Sequence, residues 1–324
     1  GVAPAITAQP VNMNVSVGST ATFTVTATGS GLLIYQWRRN GVDITGATGP
    51  TLELPSVSAA SQGVYTVLIR DGSGAVISSG AVLTVYELAV TGQWDFDRGD
   101  LRATVGSDLE YVGDTAALTT FPAMIINGQF TQVMGFGSNS VRQGFFMRHG
   151  AAPNGSGHFV NQYTLLMDVM FPAASSGQWR ALFQTDPFNH DGNDAEFYVG
   201  NSASVPDPNG LGAGSQFNGS LAPNTWYRIA FAVDLTPPAG GQLSKYVNGV
   251  KVGEQSLSGG VDGRYALGPA ALLFTAGISG GGFTQPGFVS SLQFVNGRMS
   301  SEAIAALGGA SAGLGPIGEA GDPI

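Results

Sequence analysis

The sequence predicts an all-β protein with two consecutive β-sandwiches and one short helix near its C-terminal end. Charged residues make up only 11% of the 324 residues, and 49 residues are glycine. Such a composition, with short apolar runs between glycines, suits β-sheets that are joined by many turns. In the first part of the chain the runs alternate with the period of two that places side chains on opposite faces of a strand. They become longer and more widely spaced after residue 87, which predicts domains 1–87 and 88–309 and an extension, 310–324.

The first domain contains short alternating runs bounded by Gly, Pro, Ser or Asn. These runs are residues 21–27, 33–39, 51–55, 64–70 and 81–87. Short strands at this spacing are typical of an antiparallel sandwich.

Two aromatic residues make this first domain similar to a known family. Trp37 lies in a YQW strand and Tyr65 in SQGVY, which resembles a D-x-G-x-Y corner, and together they resemble the core tryptophan and corner tyrosine of immunoglobulin-like domains. The resemblance places Val25 and Val67 where the family often has its disulfide, so apolar packing would replace that crosslink. We expect a core role for both aromatic residues and a spacer or interaction role for the domain.

The second domain has longer and more widely spaced strand-like runs. The clearest are residues 163–171, 179–185, 195–200, 226–234, 243–253, 271–277 and 287–299. Asn248-Gly249 predicts a tight hairpin turn, because such a turn requires positive φ angles. A large antiparallel sandwich is the expected outcome.

The segment SSEAIAALGG predicts the helix. Ser300 or Ser301 can cap it, Glu302 lies in the first turn and Gly308 can end it. Ile304 and Leu307 would then face a sheet.

The order of segments in the second domain carries a second resemblance. An early WDF strand is followed by WRALFQT, NTWYRIAFAVD, KYVNGVKVG and a final segment that ends in SSEAIAALGG. This order is similar to the laminin-G-like group of the concanavalin A-like jelly rolls and covers most of residues 88–309. The resemblance implies a two-sheet jelly roll, in a group of mostly non-catalytic modules of secreted bacterial proteins that often bind carbohydrate, sometimes with calcium.

Composition excludes several classes of partner and site. The net charge is −9 without a Lys/Arg cluster, so nucleic acid is not expected as a partner. The absence of cysteine excludes disulfides and thiolate metal sites. No apolar run approaches the roughly 20 residues of a membrane-spanning helix, so membrane insertion is not expected. The two resemblances imply a protein that is secreted or displayed on a bacterial cell surface.

Two acidic segments are candidates for a calcium site, because calcium takes about six to eight oxygen ligands. The segment DPFNHDGNDAEF offers side-chain oxygens from Asp186, Asn189, Asp191, Asn193, Asp194 and Glu196. In WDFDRGD, Asp95 and Asp97 would point the same way if they alternate on a strand. The alternative is that both segments are polar loops, with Arg98 and backbone amides satisfying the acids of the second.

Aromatic side chains in loops or at strand ends are candidate platforms for a sugar ring. Phe188 and Tyr265 are expected to be exposed. Trp179 and Trp226 begin strands, where the alternative is a core role. His149, in a Gly- and Asn-rich loop, would line a ligand groove or be structural.

Three classes of function remain open. The leading one is a non-catalytic extracellular module that binds polysaccharide or another cell-surface ligand, with calcium as the candidate ion. The second is a structural or adhesive subunit that self-associates through β-edges or its extended ends. The third is a polysaccharide-cleaving enzyme, although no E-x-D-x-x-E or G-x-S-x-G pattern occurs; Arg148, His149 and Tyr163 would be the raw material of a lyase.

Overall fold

The protein is described by a computed structural model covering residues 1–155, 157–188, 195–201, 208–237, 240–275 and 284–312. The chain divides into two compact units, Gly1–Glu87 and Leu88–Ile324. Strands dominate both units, and the described residues contain one α-helix. The predicted all-β fold class is therefore confirmed.

The first unit is built from ten short strands. They are β1 (Ala5–Ala8), β2 (Met13–Ser16), β3 (Ala21–Thr24), β4 (Thr26–Thr28), β5 (Ile34–Arg39), β6 (Val42–Asp43), β7 (Thr51–Leu54), β8 (Gly63–Asp71), β9 (Gly74–Ile77) and β10 (Ala81–Tyr86). The main sheet has the order β2-β10-β8-β5-β6, with β9 paired to β8, while β1 pairs with β4 and β3 with β7. The predicted run 21–27 is divided at Val25, where the chain passes from the partner β7 to the partner β1.

The core of the first unit is centred on Trp37, which is fully buried. The ring of Phe23 stacks on Tyr65 at 4.8 Å and lies 6.1 Å from the ring of Trp37. The Tyr65 hydroxyl donates to the carbonyl of Ser61 (2.6 Å), which forms the predicted tyrosine corner. The core roles predicted for Trp37 and Tyr65 are confirmed, and Val25 packs in the same apolar cluster.

The described residues of the second unit form sixteen strands and one α-helix. They are β11 (Val90–Trp94), β12 (Glu110–Val112), β13 (Ala123–Ile126), β14 (Gln129–Gln132), β15 (Met134–Phe136), β16 (Gly144–Met147), β17 (Gln162–Met170), β18 (Arg180–Gln184), β19 (Glu196–Val199), β20 (Leu211–Ala213), β21 (Gln216–Asn218), β22 (Tyr227–Asp234), β23 (Gly241–Val247), β24 (Val250–Leu257), β25 (Ala271–Leu273), β26 (Gly287–Val295) and α1 (Ser301–Leu307). Short 3-10 helices occupy Ala59–Ser61 in the first unit and Thr115–Leu118 and Ala173–Ser175 in the second.

Two seven-stranded sheets form most of the second unit, and β13 pairs with β14 in a separate hairpin. The β17 sheet has the order β11-β26-β17-β22-β23-β24, with β15 also on β26, and the β18 sheet has the order β12-β16-β25-β18-β19-β20-β21. Alternate residues of each sheet face the other sheet and form one large apolar core. Phe197 of β19, for example, meets Phe231 of β22 edge to face at 5.2 Å.

The helix α1 follows the sequence prediction closely. Ser300 is the cap, its side chain accepting the N–H of Ala303, and Gly308 ends the helix at a φ of +63°. Ile304 is buried against the outer face of the β17 sheet, and Leu307 packs against the same cluster. The predicted Asn248-Gly249 turn joins β23 to β24 with φ angles of +49° and +80°.

A buried ion pair fastens the segment after α1 to the β17 sheet. The guanidinium of Arg228 donates two hydrogen bonds of 2.8 Å to the carboxylate of Asp168. Arg228 also donates to the carbonyl of Leu307 (2.6 Å), and the N–H of Ser311 donates to Asp168 (2.9 Å). The two buried charges therefore neutralise each other, and they also form hydrogen bonds with Leu307 and Ser311 near the end of the described chain.

Within the described residues, we find no helix with the length and apolar character needed to span a membrane.

Candidate binding groove

A groove of about 410 Å³ opens at one end of the β18 sheet. Its walls come from the end of β16, the loop before β17, the segment after β18 and the segment leading into β25. The lining residues are Phe146, Phe159, Thr185, Asp186, Pro187, Phe188, Asp262, Gly263, Arg264, Ala266, Gly268, Pro269 and Ala270. Three aromatic rings from three separate segments therefore line one concavity, and Phe188 and Phe159 are 76% and 43% exposed.

Phe146 reaches the groove because of strand alternation. Its neighbours Phe145 and Met147 point into the core between the sheets, so Phe146 points to the outer face of the β18 sheet. The guanidinium of Arg148 lies over the Phe146 ring, 4.8 Å from its centroid, and forms an ion pair with Glu110 of β12. These contacts hold the ring in place.

Thr185 joins two walls of the groove. Its hydroxyl donates to the carbonyl of Arg264 (2.8 Å) and accepts the N–H of Ala195 (2.9 Å). In the same segment, the N–H of Phe188 donates to the carboxylate of Asp186 (2.8 Å). The backbone leading to Phe188 is thus attached to the segment around Arg264.

Asp262 joins two other segments. Its carboxylate accepts the N–H groups of His158 (2.7 Å) and Phe159 (3.0 Å) and the side-chain amide of Asn161 (2.9 Å). Partial burial raises the pKa of Asp262, but these donors together outweigh it and the pKa is lowered. The position of Phe159 therefore depends on an ionised Asp262.

His149 supports a wall of the groove from behind. Its Nδ1 accepts the N–H of Ala151 (3.2 Å), so the proton resides on Nε2, which donates to the carbonyl of Gly268 (2.6 Å). The ring stacks on Phe294 at 4.7 Å, and burial lowers the pKa of His149. The side chain is 0% exposed, so the prediction that His149 contacts a ligand is wrong.

Tyr265 is a second correction. It is only 8% exposed, and its ring packs edge to face against Phe197 of the core at 6.1 Å. Its carbonyl accepts the hydroxyl of the fully buried Tyr163 (2.8 Å). The expectation of an exposed Tyr265 is wrong because the chain turns its ring back between the sheets, and burial raises the pKa of this phenol.

Trp179 and Trp226 belong to separate apolar clusters outside the groove. Trp179 contacts Tyr198 and Phe217 edge to face at 5.5 and 5.2 Å. Trp226 packs in another cluster with Ile126. Both are partly buried, which agrees with the alternative of a core role. Among the five aromatic and histidine candidates, Phe188 alone lines the groove.

The first acidic segment is only partly described. Asn189, Asp191, Asn193 and Asp194 lie outside the described residues, as does His190. Asp186 lines the groove, and Glu196 opens β19 opposite Gln184. A calcium site in this segment stays a prediction.

The second acidic segment does not have the predicted geometry. Strand β11 ends at Trp94 and Phe96 has a φ of +57°, so Asp95 and Asp97 do not alternate on a strand. Asp95 accepts the side-chain amide of Gln93 (3.0 Å) and the hydroxyl of Thr104 (2.5 Å).

Asp97 instead lies 3.8 Å from the guanidinium of exposed Arg98. Across the part of the chain that the structure describes, no group of three or more acidic or histidine side chains is arranged to hold a metal.

Sequence reasoning missed Phe146, Phe159, Asp262 and Arg264 as groove residues. Phe159 does lie at the end of the Gly- and Asn-rich loop that contains His149. The other three are brought together by the pairing of β16, β25 and β18, which a single sequence does not display.

Comparison with known proteins identifies the first unit. The family model described as immunoglobulin domain matches residues 3–70. A chimeric titin Z1Z2 functionalised with an exogenous decorin peptide is 30% identical, covering 26% of this chain and 95% of that one, with a TM-score of 0.24. The Ig1-2 module of the Drosophila receptor protein tyrosine phosphatase DLAR is 28% identical, covering 28% of this chain and 56% of that one, also with a TM-score of 0.24.

One curated relative is an enzyme. Endoglucanase C of Cellulomonas fimi is 34% identical over 110 residues, which are 32% of this chain and 10% of that protein. The match thus spans about a tenth of the enzyme's length. The family match, in contrast, covers most of the first unit: the chain begins with an immunoglobulin-like domain. Domains of this class are typical of extracellular proteins and generally mediate binding to ligands or other proteins.

Proposed function

We propose that this chain is a non-catalytic extracellular module that binds polysaccharide through its second unit, which we interpret as a laminin-G-like, concanavalin A-like jelly roll. The observation that carries the proposal is the groove in which Phe146, Phe159 and Phe188 surround a few polar side chains. The immunoglobulin-like unit would serve as a spacer or interaction module on a secreted or surface-displayed protein.

The groove has the physical properties of a sugar site. Its volume of about 410 Å³ falls in the range of roughly 300–1,000 Å³ that is common for small-ligand pockets. Phenyl faces offer apolar surface to the C–H groups of a pyranose, and the polar residues can fix its orientation. The 34% identity with part of an endoglucanase supports a role near polysaccharide.

The environment of two residues considered for a lyase supports a non-catalytic role. Both ring nitrogens of His149 are hydrogen-bonded inside the fold. The hydroxyl of Tyr163 is buried and donates to the carbonyl of Tyr265. Neither group faces the groove, so neither can take a proton from a bound sugar.

The test is a glycan-array assay on the intact chain, once with millimolar calcium and once with a chelator, followed by affinity measurements on variants. We expect Phe188→Ala and Phe159→Ala each to weaken binding about tenfold, since an aromatic anchor contributes more than about 1 kcal/mol. Phe130→Ala is the matched control, because Phe130 of β14 is 79% exposed and lies outside the groove.

Four outcomes decide the proposal and its calcium part. Equal affinity of all three variants, or no glycan bound in either buffer, would contradict a sugar site in the groove. Binding that disappears with the chelator would support a calcium site in residues 186–196, and binding that persists would remove calcium from the proposal.

A further inference from the structure

The charged side chains that line the groove differ in whether they form hydrogen bonds within the protein. The carboxylate of Asp262 accepts three donors, from His158, Phe159 and Asn161. Asp186 accepts the N–H of Phe188. Both acids are therefore engaged in holding the walls of the groove.

Arg264 is the cationic member of the lining, and its side chain is exposed. Within the described ranges, its guanidinium has no carboxylate partner and its ring contact is with Tyr265, 5.7 Å from the centroid. The positive charge is thus available to a ligand.

The backbone that carries this guanidinium is held by two hydrogen bonds, at Arg264 itself and at the residue that follows it. The Thr185 hydroxyl donates to the carbonyl of Arg264 (2.8 Å), and the Tyr163 hydroxyl donates to the carbonyl of Tyr265 (2.8 Å). Holding the backbone in this way lowers the entropy that this segment of main chain loses on binding a ligand.

We propose that the groove selects polysaccharides whose sugar units bear a carboxylate, with Arg264 as the residue that binds it. This inference rests on the proposed function and adds the chemical class of the sugar. The planar guanidinium matches a carboxylate through two parallel N–H···O bonds. The phenyl rings of Phe159 and Phe188 would contact the sugar ring beside that charge.

A uronate fits the groove better than a highly sulfated chain does. A dense polyanion draws much of its affinity from many neutralised charges, whereas this groove presents one unpaired cation and the whole chain has a net charge of −9. A single carboxylate per sugar unit requires only one fork-shaped donor. We therefore expect selectivity from one residue rather than from a basic surface.

The experiment compares two acidic polymers with their own methyl esters and with a sulfated polymer. The intact chain is titrated with polygalacturonate and alginate, with the methyl ester of each, and with dextran sulfate. We expect wild type to prefer each free acid over its ester by about tenfold, the discrimination of one charge-assisted bidentate contact.

Variants then assign the preference to one residue. Arg264→Gln should abolish the difference between acid and ester, and Arg264→Lys should restore only part of it. Arg98→Gln is the matched control, because it removes the same charge from an exposed arginine outside the groove and should keep the preference.

Each result decides the inference separately from the proposed function. Equal binding of acid and ester, or an acid preference that survives Arg264→Gln, would overturn the uronate inference while leaving a sugar site whose affinity still depends on Phe188. Preferred binding of dextran sulfate that is lost equally in both arginine variants would also overturn it. Absence of binding to every polysaccharide would overturn both.

Discussion

The Asp168–Arg228 pair is the residue-scale contact with the largest expected effect on stability. Asp168→Asn leaves the guanidinium of Arg228, which is only 6% exposed, without an opposite charge. We expect a loss of about 3–5 kcal/mol in the unfolding free energy of the second unit, measured by urea denaturation. Asp97→Asn, at an exposed pair, is the control and should change this free energy by less than about 0.5 kcal/mol. A loss below about 1 kcal/mol for Asp168→Asn would contradict the account.

His149 predicts how stability responds to mild acid. Burial lowers its pKa below the ordinary value of 6.5, so the unfolded chain takes up the proton first as the pH falls. Stability from the neutral ring is complete above pH 6.5 and is lost as the pH falls toward the folded-state pKa. Unfolding free energies between about pH 7.5 and 5 should show this decrease.

The variant His149→Gln provides the comparison for that titration. It should remove the decrease, because it lacks the buried ring that takes up the proton. An unfolding free energy of the second unit that stays constant over the same pH interval would show that His149 is not buried as a neutral ring.

At the scale of elements, the Asp262 carboxylate acts as the clamp between two loops of the groove. Asp262→Ala removes the acceptor for the N–H groups of His158 and Phe159. We expect hydrogen exchange of these two amides to accelerate more than about tenfold and glycan binding to weaken, because an unsatisfied donor costs about 1–3 kcal/mol. The paired amide of Leu165 in β17 is the internal control. Unchanged exchange at His158 and Phe159 would refute the clamp.

The elements with strong local signals could be predicted from the sequence. The capped helix at Ser300, the Asn248-Gly249 turn and the apolar runs that form β17 and β22 have local causes. Trp37 and Tyr65 were found in the same way, because a core aromatic residue in an alternating strand depends on its near neighbours.

The groove depended on pairing between distant segments and was only partly predicted. Phe188 was found because an aromatic residue stood in a polar loop, whereas Phe146 resembled any other strand residue. Tyr265 lies in an equally polar segment, yet its ring returns to the core. Asp95 and Asp97 were expected to share a face, but the positive φ of Phe96 breaks the alternation.

At the scale of the whole molecule, each unit has its own apolar core. Trp37→Ala should destabilise the immunoglobulin-like unit by about 3–5 kcal/mol, since a buried aromatic side chain leaves a large cavity. Because the groove belongs to the second unit, we expect unchanged glycan affinity. Calorimetry and binding measurements on the intact variant check both parts. A loss of affinity beyond about tenfold would show that the groove depends on the first unit.

The central claim is that the groove lined by Phe146, Phe159 and Phe188 binds sugar. The most direct test is a titration of the isotope-labelled intact chain with an oligosaccharide that binds in the glycan-array assay. The titration is followed through the chemical shifts of the backbone amides. We expect the largest chemical-shift changes at these three residues and at Gly268. Changes confined to the immunoglobulin-like unit, or to the cluster around Trp226, would contradict it.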